Sequence, residues 1–319
     1  NEREITKKLI NTDVIFSLDL PFSNIEQLDG ILSNQRLKKI VIIDHHPTDN
    51  LKHPNVILLK SNTVFACDNP ARYCTAKLAY DLANLIMDVS EKDWYAIIGI
   101  IGDVAYPMWG DFIFNIFKKY NIELSENNNK CLYDSKFGLA TELVSCGNAF
   151  YPDRVKDIFN ALKNSNNLDE FEKKLPFCSD VLDEINNCVK NFFNNSVAYD
   201  DNIFFYELKS SYHILSQIST IMSINNMDKT IIVVKHVNNN TTFSVRRSDY
   251  TINVGSAVNF AASKIKSASG GGHIPAAGAK CDKKDYETFL DLIIHEINSN
   301  KYKLSEMDRN KLNENNIKI

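Results

Sequence analysis

Residues 41–46 read Val41-Ile42-Ile43-Asp44-His45-His46. An apolar run that stops at one carboxylate and two imidazoles predicts a β-strand whose carboxyl end carries polar groups, and open parallel sheets bind ligands at that edge. Adjacent side chains alternate in direction along a strand, so one histidine can face a metal ion while the other faces a substrate. The plainer alternative is a strand end with two solvated histidines. Val14–Leu18 is another short apolar run, closed by Asp19, and Val56–Leu59 is a third. Between the first two, Ile25, Leu28, Ile31 and Leu32 recur at helical spacing. After the third, Leu78, Leu82, Leu85 and Ile86 predict a longer helix over Ala71–Asp88. Short apolar strands alternating with helices predict an α/β fold with a doubly wound parallel sheet.

From Asp93 the pattern turns helical, with segments at Asp93–Ala105, Phe137–Cys146, Asp153–Leu162 and Asp180–Phe193. A second, smaller α/β module follows, with strands at Ile203–Leu208, Thr230–Lys235 and Thr242–Val245. Its helices are expected near Ile214–Met222, Gly255–Ile265 and Tyr286–Ile297. The expected division is a first domain over 1–172, a helical linker over 173–199, a second domain over 200–300 and a polar tail over 301–319. The Asn-rich stretches at 127–129 and 238–240 read as loop filler.

Composition narrows the function classes. With 44% hydrophobic and 24% charged residues the 319-residue chain is globular in type, and its length favours two domains. No apolar run is long enough for a membrane helix and no leader-like segment opens the chain, which predicts a cytoplasmic protein without a membrane partner. Seven scattered cysteines without a C-x-x-C pair predict reduced thiols rather than a disulfide framework. The net charge is −4, but Lys229 to Lys284 carries nine Lys/Arg against two Asp, a local +7 that leaves −11 elsewhere. That asymmetry predicts an anionic ligand meeting one region only.

Four further sites carry chemistry. Asp19 ends its strand as Asp44 ends the next, and carboxylates with an imidazole suit a hard divalent ion such as manganese. Asp103 lies in the apolar run Ala96–Ala105, where an ionised carboxylate needs a cation or donors; a capping Asp is the alternative reading. Gly99 and Gly102 in the same run remove side chains where another group would approach. Ser269-Gly270-Gly271-Gly272-His273 predicts a loop whose backbone N–H groups and imidazole cradle phosphate oxygens. Of the adjacent Arg246 and Arg247, which alternate along a strand, one is expected to grip a phosphate and the other to be a solvated surface charge.

Asp-His-His at a strand end, Asp19 at the previous one, Gly102-Asp103, and Gly-Gly-Gly-His followed by Ala276-Ala277-Gly278 together resemble the DHH phosphoesterase superfamily with its C-terminal associated domain. The likeness spans most of residues 10–300 and is greatest to archaeal RecJ-type single-strand exonucleases. It implies hydrolysis of phosphodiesters with two Mn²⁺ ions, or Mg²⁺, held by Asp19, His45 and Asp103. It further implies that Asp44 orients His45, that His46 contacts the scissile phosphate, and that Arg246, Gly271, Gly272 and His273 bind substrate. The implied partner is single-stranded nucleic acid or a short oligonucleotide entering a cleft between the domains, with replication or repair proteins as further partners. Two alternatives stand beside this. One is the branch of nano-oligoribonucleases, phosphoadenosine phosphatases and dinucleotide phosphodiesterases; the other is a non-catalytic scaffold associated with replication. The family's first motif, a strand with an Asp-x-Asp pair, does not precede Asp19 in this sequence. The expectation is therefore either a natural chain that begins earlier or a relative that no longer cleaves.

Overall fold

Strand β2 (Lys39–Asp44) is apolar on both faces because both faces are covered. In a computed structural model of the chain, Ile40 and Ile42 pack with Leu28 and Leu37 on one side, while Ile43 packs with Tyr73 and Leu78 on the other. A strand sandwiched in this way cannot show hydrophobic alternation, which is why the sequence reads as an unbroken run. The structure describes residues 12–20, 22, 25–33, 36–46, 51–64, 72–123, 130–150, 153–306 and 308. These fall into two compact units, one up to residue 123 and the other over 130–308.

In the first unit β1 (Val14–Leu18), β2 and β3 (Val56–Lys60) form a parallel sheet in that order, with Leu18 opposite Ile43 and Asp44 opposite Lys60. The parallel arrangement brings the carboxyl ends of β1 and β2 side by side. The amphipathic segment after β1 is a 3₁₀ turn over Ile25–Leu28 running into a short helix over Asp29–Leu32. The longer helix spans Thr75–Ile86, starting later than its apolar periodicity suggests, and the Asn69-Pro70 that would announce it lies outside the described residues. It packs against the apolar helix Asp93–Gly102. Gly99 makes that approach possible, since a β-carbon there would stand 2.2 Å from the Ala76 side chain.

The second unit is built on a mixed sheet in the order β4-β5-β6-β7-β9-β8, comprising Val197–Ala198, Ile203–Glu207, Thr230–Val237, Asn240–Arg246, Ala276–Asp282 and, last in space, Ser269–His273 as β8. Only β5 and β6 run parallel. Ile232, Val234, Phe243, Val245 and Ala277 face the helices Val254–Ser263 and Tyr286–Asn298 and form the main core with Val258, Phe289 and Ile293. On the opposite face the helix Leu215–Asn225 crosses β6 and β7, and helix Ser179–Lys190 packs behind it. The helices over 130–195, which the sequence pattern divides between a first domain and a linker, pack within this unit. The helical run expected over Asp180–Phe193 breaks at Asn191, which caps both Ser179–Lys190 and Phe192–Asn195.

Two expectations are corrected here. The glycine run is not a loop: Ser269–His273 is an edge strand paired antiparallel with Ala276–Asp282. A glycine-rich sequence hides its strand character because strand propensity reflects side-chain packing, and here packing depends on side chains being absent. Arg247 is not a solvated charge either. It is 7% exposed and bonds Asp249 through Nε and Nη2, both at 2.8 Å. Among the described residues no helix is long and apolar enough to cross a membrane, and all six described cysteines are free thiols while Cys67 lies outside them.

Candidate metal centre

Parallel pairing of β1 and β2 brings Asp19 and the Asp44-His45-His46 segment to one edge. Asp19 N–H donates to the Ile43 carbonyl at 3.0 Å, extending the ladder one step beyond the strand. Its φ is then 58°, a left-handed conformation that Asp tolerates better than most residues. The Asp19 carboxylate accepts a 2.8 Å hydrogen bond from the Thr75 hydroxyl at the first turn of helix Thr75–Ile86. Thr75 is buried, and the positive end of that helix favours the carboxylate it holds. Thr75 escapes a sequence reading that sets the helix start upstream; the signal available is a hydroxyl residue opening an apolar periodicity.

His45 is 6% exposed, and its Nε2 lies 3.4 Å from Asp19 Oδ1 and 4.0 Å from Asp103 Oδ2. Asp44, almost fully buried, was expected to steady His45; its carboxylate bonds His46 Nδ1 at 2.8 Å. Burial works to raise the Asp44 pKa, but the hydrogen bond and charge of His46 outweigh it and hold the group below its ordinary value. The same bond, opposed by burial, raises the His46 pKa. His46 Nδ1 also stands 3.9 Å from Asp19 Oδ1.

Asp103 arrives from a different element. It caps the C-terminus of helix Asp93–Gly102, whose Trp94, Ala96, Ile97, Ile100 and Ile101 are buried, yet its own side chain is 37% exposed. The apolar stretch thus does not swallow the carboxylate; it ends there. Ala105 N–H donates to the Ile100 carbonyl at 2.8 Å and Val104 N–H to that of Ile101 at 3.2 Å. This closure puts Val104 at φ 53°, where glycine is usual and a β-branched residue is strained. A carboxylate at a helix C-terminus also opposes the helix dipole. Enclosure by protein, with Asp19 nearby, raises the Asp103 pKa to about 6, the His45 and His46 charges acting the other way.

The donor set fits a divalent cation. Ligand atoms of Asp19, Asp44 and His46 lie within 4.8 Å of one another, and His45 bridges toward Asp103. Three carboxylates and two imidazoles collected at one sheet edge combine hard oxygen with nitrogen donors, the mixture that suits manganese or magnesium.

The expected phosphate-binding residues lie in the second unit. Gly270 and Gly272 are explained by packing: a β-carbon on Gly270 would meet Ala279 at 2.7 Å, and one on Gly272, at φ 157°, would meet the Ala276 carbonyl at 2.1 Å. Gly271 differs. A β-carbon there meets nothing nearer than Asn259 at 3.9 Å, and its cross-strand partner Gly278 has open space within 4 Å. Arg246 and His273 both pair with Ala276, from opposite sides of β9. Arg246 donates to Thr220 Oγ1 at 3.2 Å and Ser216 Oγ at 2.9 Å, two hydroxyls that set its direction without neutralising it.

Residues 200–299 match the DHHA1 domain. No curated protein matches the chain. Among solved structures, a DHH-domain protein assigned to a family of ribosomal proteins superposes with a TM-score of 0.59 at 16% identity, covering 95% of this chain and 74% of that one. RecJ from Thermus thermophilus in complex with Mn²⁺ gives 0.55 at 14% identity over 95% of this chain and 48% of its own, so this chain spans about half the length of that enzyme. The matched domain and the shared fold agree with the motifs in Asp44-His45-His46 and Gly270-Gly271-Gly272-His273. The chain carries a DHHA1 domain over residues 200–299 and shares the fold of solved DHH-domain structures.

Proposed function

We propose that the protein hydrolyses phosphodiester bonds in a metal-dependent reaction and that its substrate is single-stranded DNA or RNA, shortened from an end. The observation that carries this reading is the meeting of Asp19, His45 and Asp103 beside the Asp44–His46 pair at one sheet edge. Asp19, His45 and Asp103 would hold the ion or ions. A divalent ion there would supply activation of the attacking water and stabilisation of the charge developing on the phosphate.

The remaining steps belong to the protein's own groups. Asp44 holds a proton of His46 on Nδ1 and favours the imidazolium, the form in which Nε2 also carries a proton that a phosphate oxygen can accept. Thr75 keeps Asp19 in one orientation. Arg246 binds a phosphate with its guanidinium fork, Gly271 and Gly272 let the strand approach bare backbone, and His273 adds its imidazole beside them. The local +7 supports an anionic polymer as the partner, with affinity falling as salt rises.

Incubation of end-labelled single strands with the protein and Mn²⁺ tests the reading. Stepwise shortening from one end is expected, with Arg246→Gln raising KM more than it lowers kcat. Turnover confined to dinucleotides or nucleotide phosphates would replace it with the small-substrate alternative.

A further inference from the structure

A second cluster of cations lies on the same sheet face as Arg246, away from it along the strands. Lys235 on β6, Thr242 on β7 and Lys280 on β9 are direct cross-strand partners, Lys235 with Thr242 and Thr242 with Lys280. They form one polar row across three adjacent strands. Thr242 precedes Arg246 by four residues, about 13 Å along an extended strand. Ser244 lies between them on β7, and its partner on β9 is the bare Gly278.

This row opens into a cavity of about 530 Å³ lined by His213, Ser216, Lys235, Asn238, Thr242 and Lys280 among others, and among the described residues no carboxylate lines it. Lys235 is 8% exposed, and its ammonium donates to the Tyr212 carbonyl at 2.7 Å. Among the described residues neither Lys235 nor Lys280 has an acidic side chain within ion-pair distance. A buried ammonium without a counter-charge is costly, and burial lowers its pKa accordingly. The first turn of helix Leu215–Asn225 contributes Leu215 and Ser216 to the wall, adding the positive end of an 11-residue helix. The Asn238–Asn240 turn, which reads as filler in the sequence, supplies amides at the rim.

We propose that this cavity is a second phosphate subsite, holding a backbone phosphate of the same strand beyond the neighbour of the one bound by Arg246. The subsite rests on the reading of the partner as nucleic acid and deepens it. It makes the preferred ligand an oligonucleotide rather than a dinucleotide, because a ligand that ends at Arg246 leaves the Lys235–Lys280 row empty.

The test compares fluorescently labelled single strands of two and eight nucleotides, binding to wild type and to Lys280→Gln in EDTA so that nothing is cleaved. Lys280 is exposed and its replacement leaves the core intact. The subsite predicts that Lys280→Gln weakens the eight-mer by about 5–10-fold and reduces its salt slope by about 0.7, the value of one single-strand phosphate contact. Dinucleotide binding stays as in wild type. Equal effects at both lengths, or none at either, overturn the subsite while tight wild-type binding of the eight-mer leaves the nucleic-acid reading standing. If wild type binds neither strand, that reading fails too. Inorganic phosphate, followed through the His213 imidazole resonances, then shows whether the cavity is a free-phosphate site, which also overturns a strand subsite.

Discussion

The carboxylate of Asp44 and Nδ1 of His46, two residues apart at the end of a parallel strand, are joined at 2.8 Å. Asp44 is held below its ordinary pKa and His46 above its own. The two shifts define a pH window for the pair. The lowered Asp44 contributes stability above about pH 4, lost as pH falls through its folded value; the raised His46 contributes below about pH 6.5, lost as pH rises through its folded value. In metal-free protein, Asp44→Asn is expected to lower stability by about 2 kcal/mol near pH 5–6, and by less on either side. Denaturant titrations across pH check this, and a flat difference from pH 3 to 9 contradicts it. The His46 pKa, read by NMR, should fall in the variant.

The neighbouring arginines should separate cleanly by readout. Asp249→Ala strands the buried Arg247 guanidinium and should cost about 3 kcal/mol. Arg246→Gln gives up only two bonds to hydroxyls, so its Tm should change little while oligonucleotide affinity falls about tenfold. Thermal melts and anisotropy on both variants settle the assignment, and an exchange of the two phenotypes would reverse it.

Gly271 and Gly272 are expected to differ just as sharply. Gly272→Ala forces a methyl against the Ala276 carbonyl at a φ unfavourable to side chains, and should destabilise the second unit by several kcal/mol or prevent its folding. Gly271→Ala has room and should fold normally, with its loss confined to ligand binding. Soluble yield and Tm of the pair provide the check.

Val104 occupies a position made for glycine. Replacing a partly buried valine by glycine ordinarily costs about 2 kcal/mol or more, but relief of a left-handed β-branched residue returns about 1–2 kcal/mol. Val104→Gly should therefore lie within about 1 kcal/mol of wild type by denaturant titration. A loss above about 2 kcal/mol would mean that the valine is not strained there.

The parts of this site that were legible in the sequence are those where chemistry interrupts pattern. Asp19 and Asp44 each terminate an apolar run, and parallel pairing is enough to bring them together. Asp103 was visible as a charge within an apolar run, although the sequence could not show that the helix stops just before it and leaves its carboxylate partly exposed. Thr75 and the Arg247–Asp249 pair were hidden because their roles depend on tertiary contacts with no periodic signature. The glycine strand was hidden for the opposite reason, since Gly270 and Gly272 sit in a strand at the very places where helix and sheet exclude side chains. The Lys235–Thr242–Lys280 row needs the register of three strands, and no one-dimensional reading supplies that.

Hydrolysis of an end-labelled single strand by protein stripped of metal with EDTA, then restored with Mn²⁺, tests the metal centre most directly, with wild type and Asp103→Asn run side by side. The expected result is cleavage by wild type only when Mn²⁺ is present, and a loss of about 100-fold or more in Asp103→Asn together with weaker Mn²⁺ binding. Cleavage that persists in EDTA, equal rates for the two proteins, or no Mn²⁺ binding by wild type would contradict the assignment of Asp19, His45 and Asp103 as the metal-holding residues.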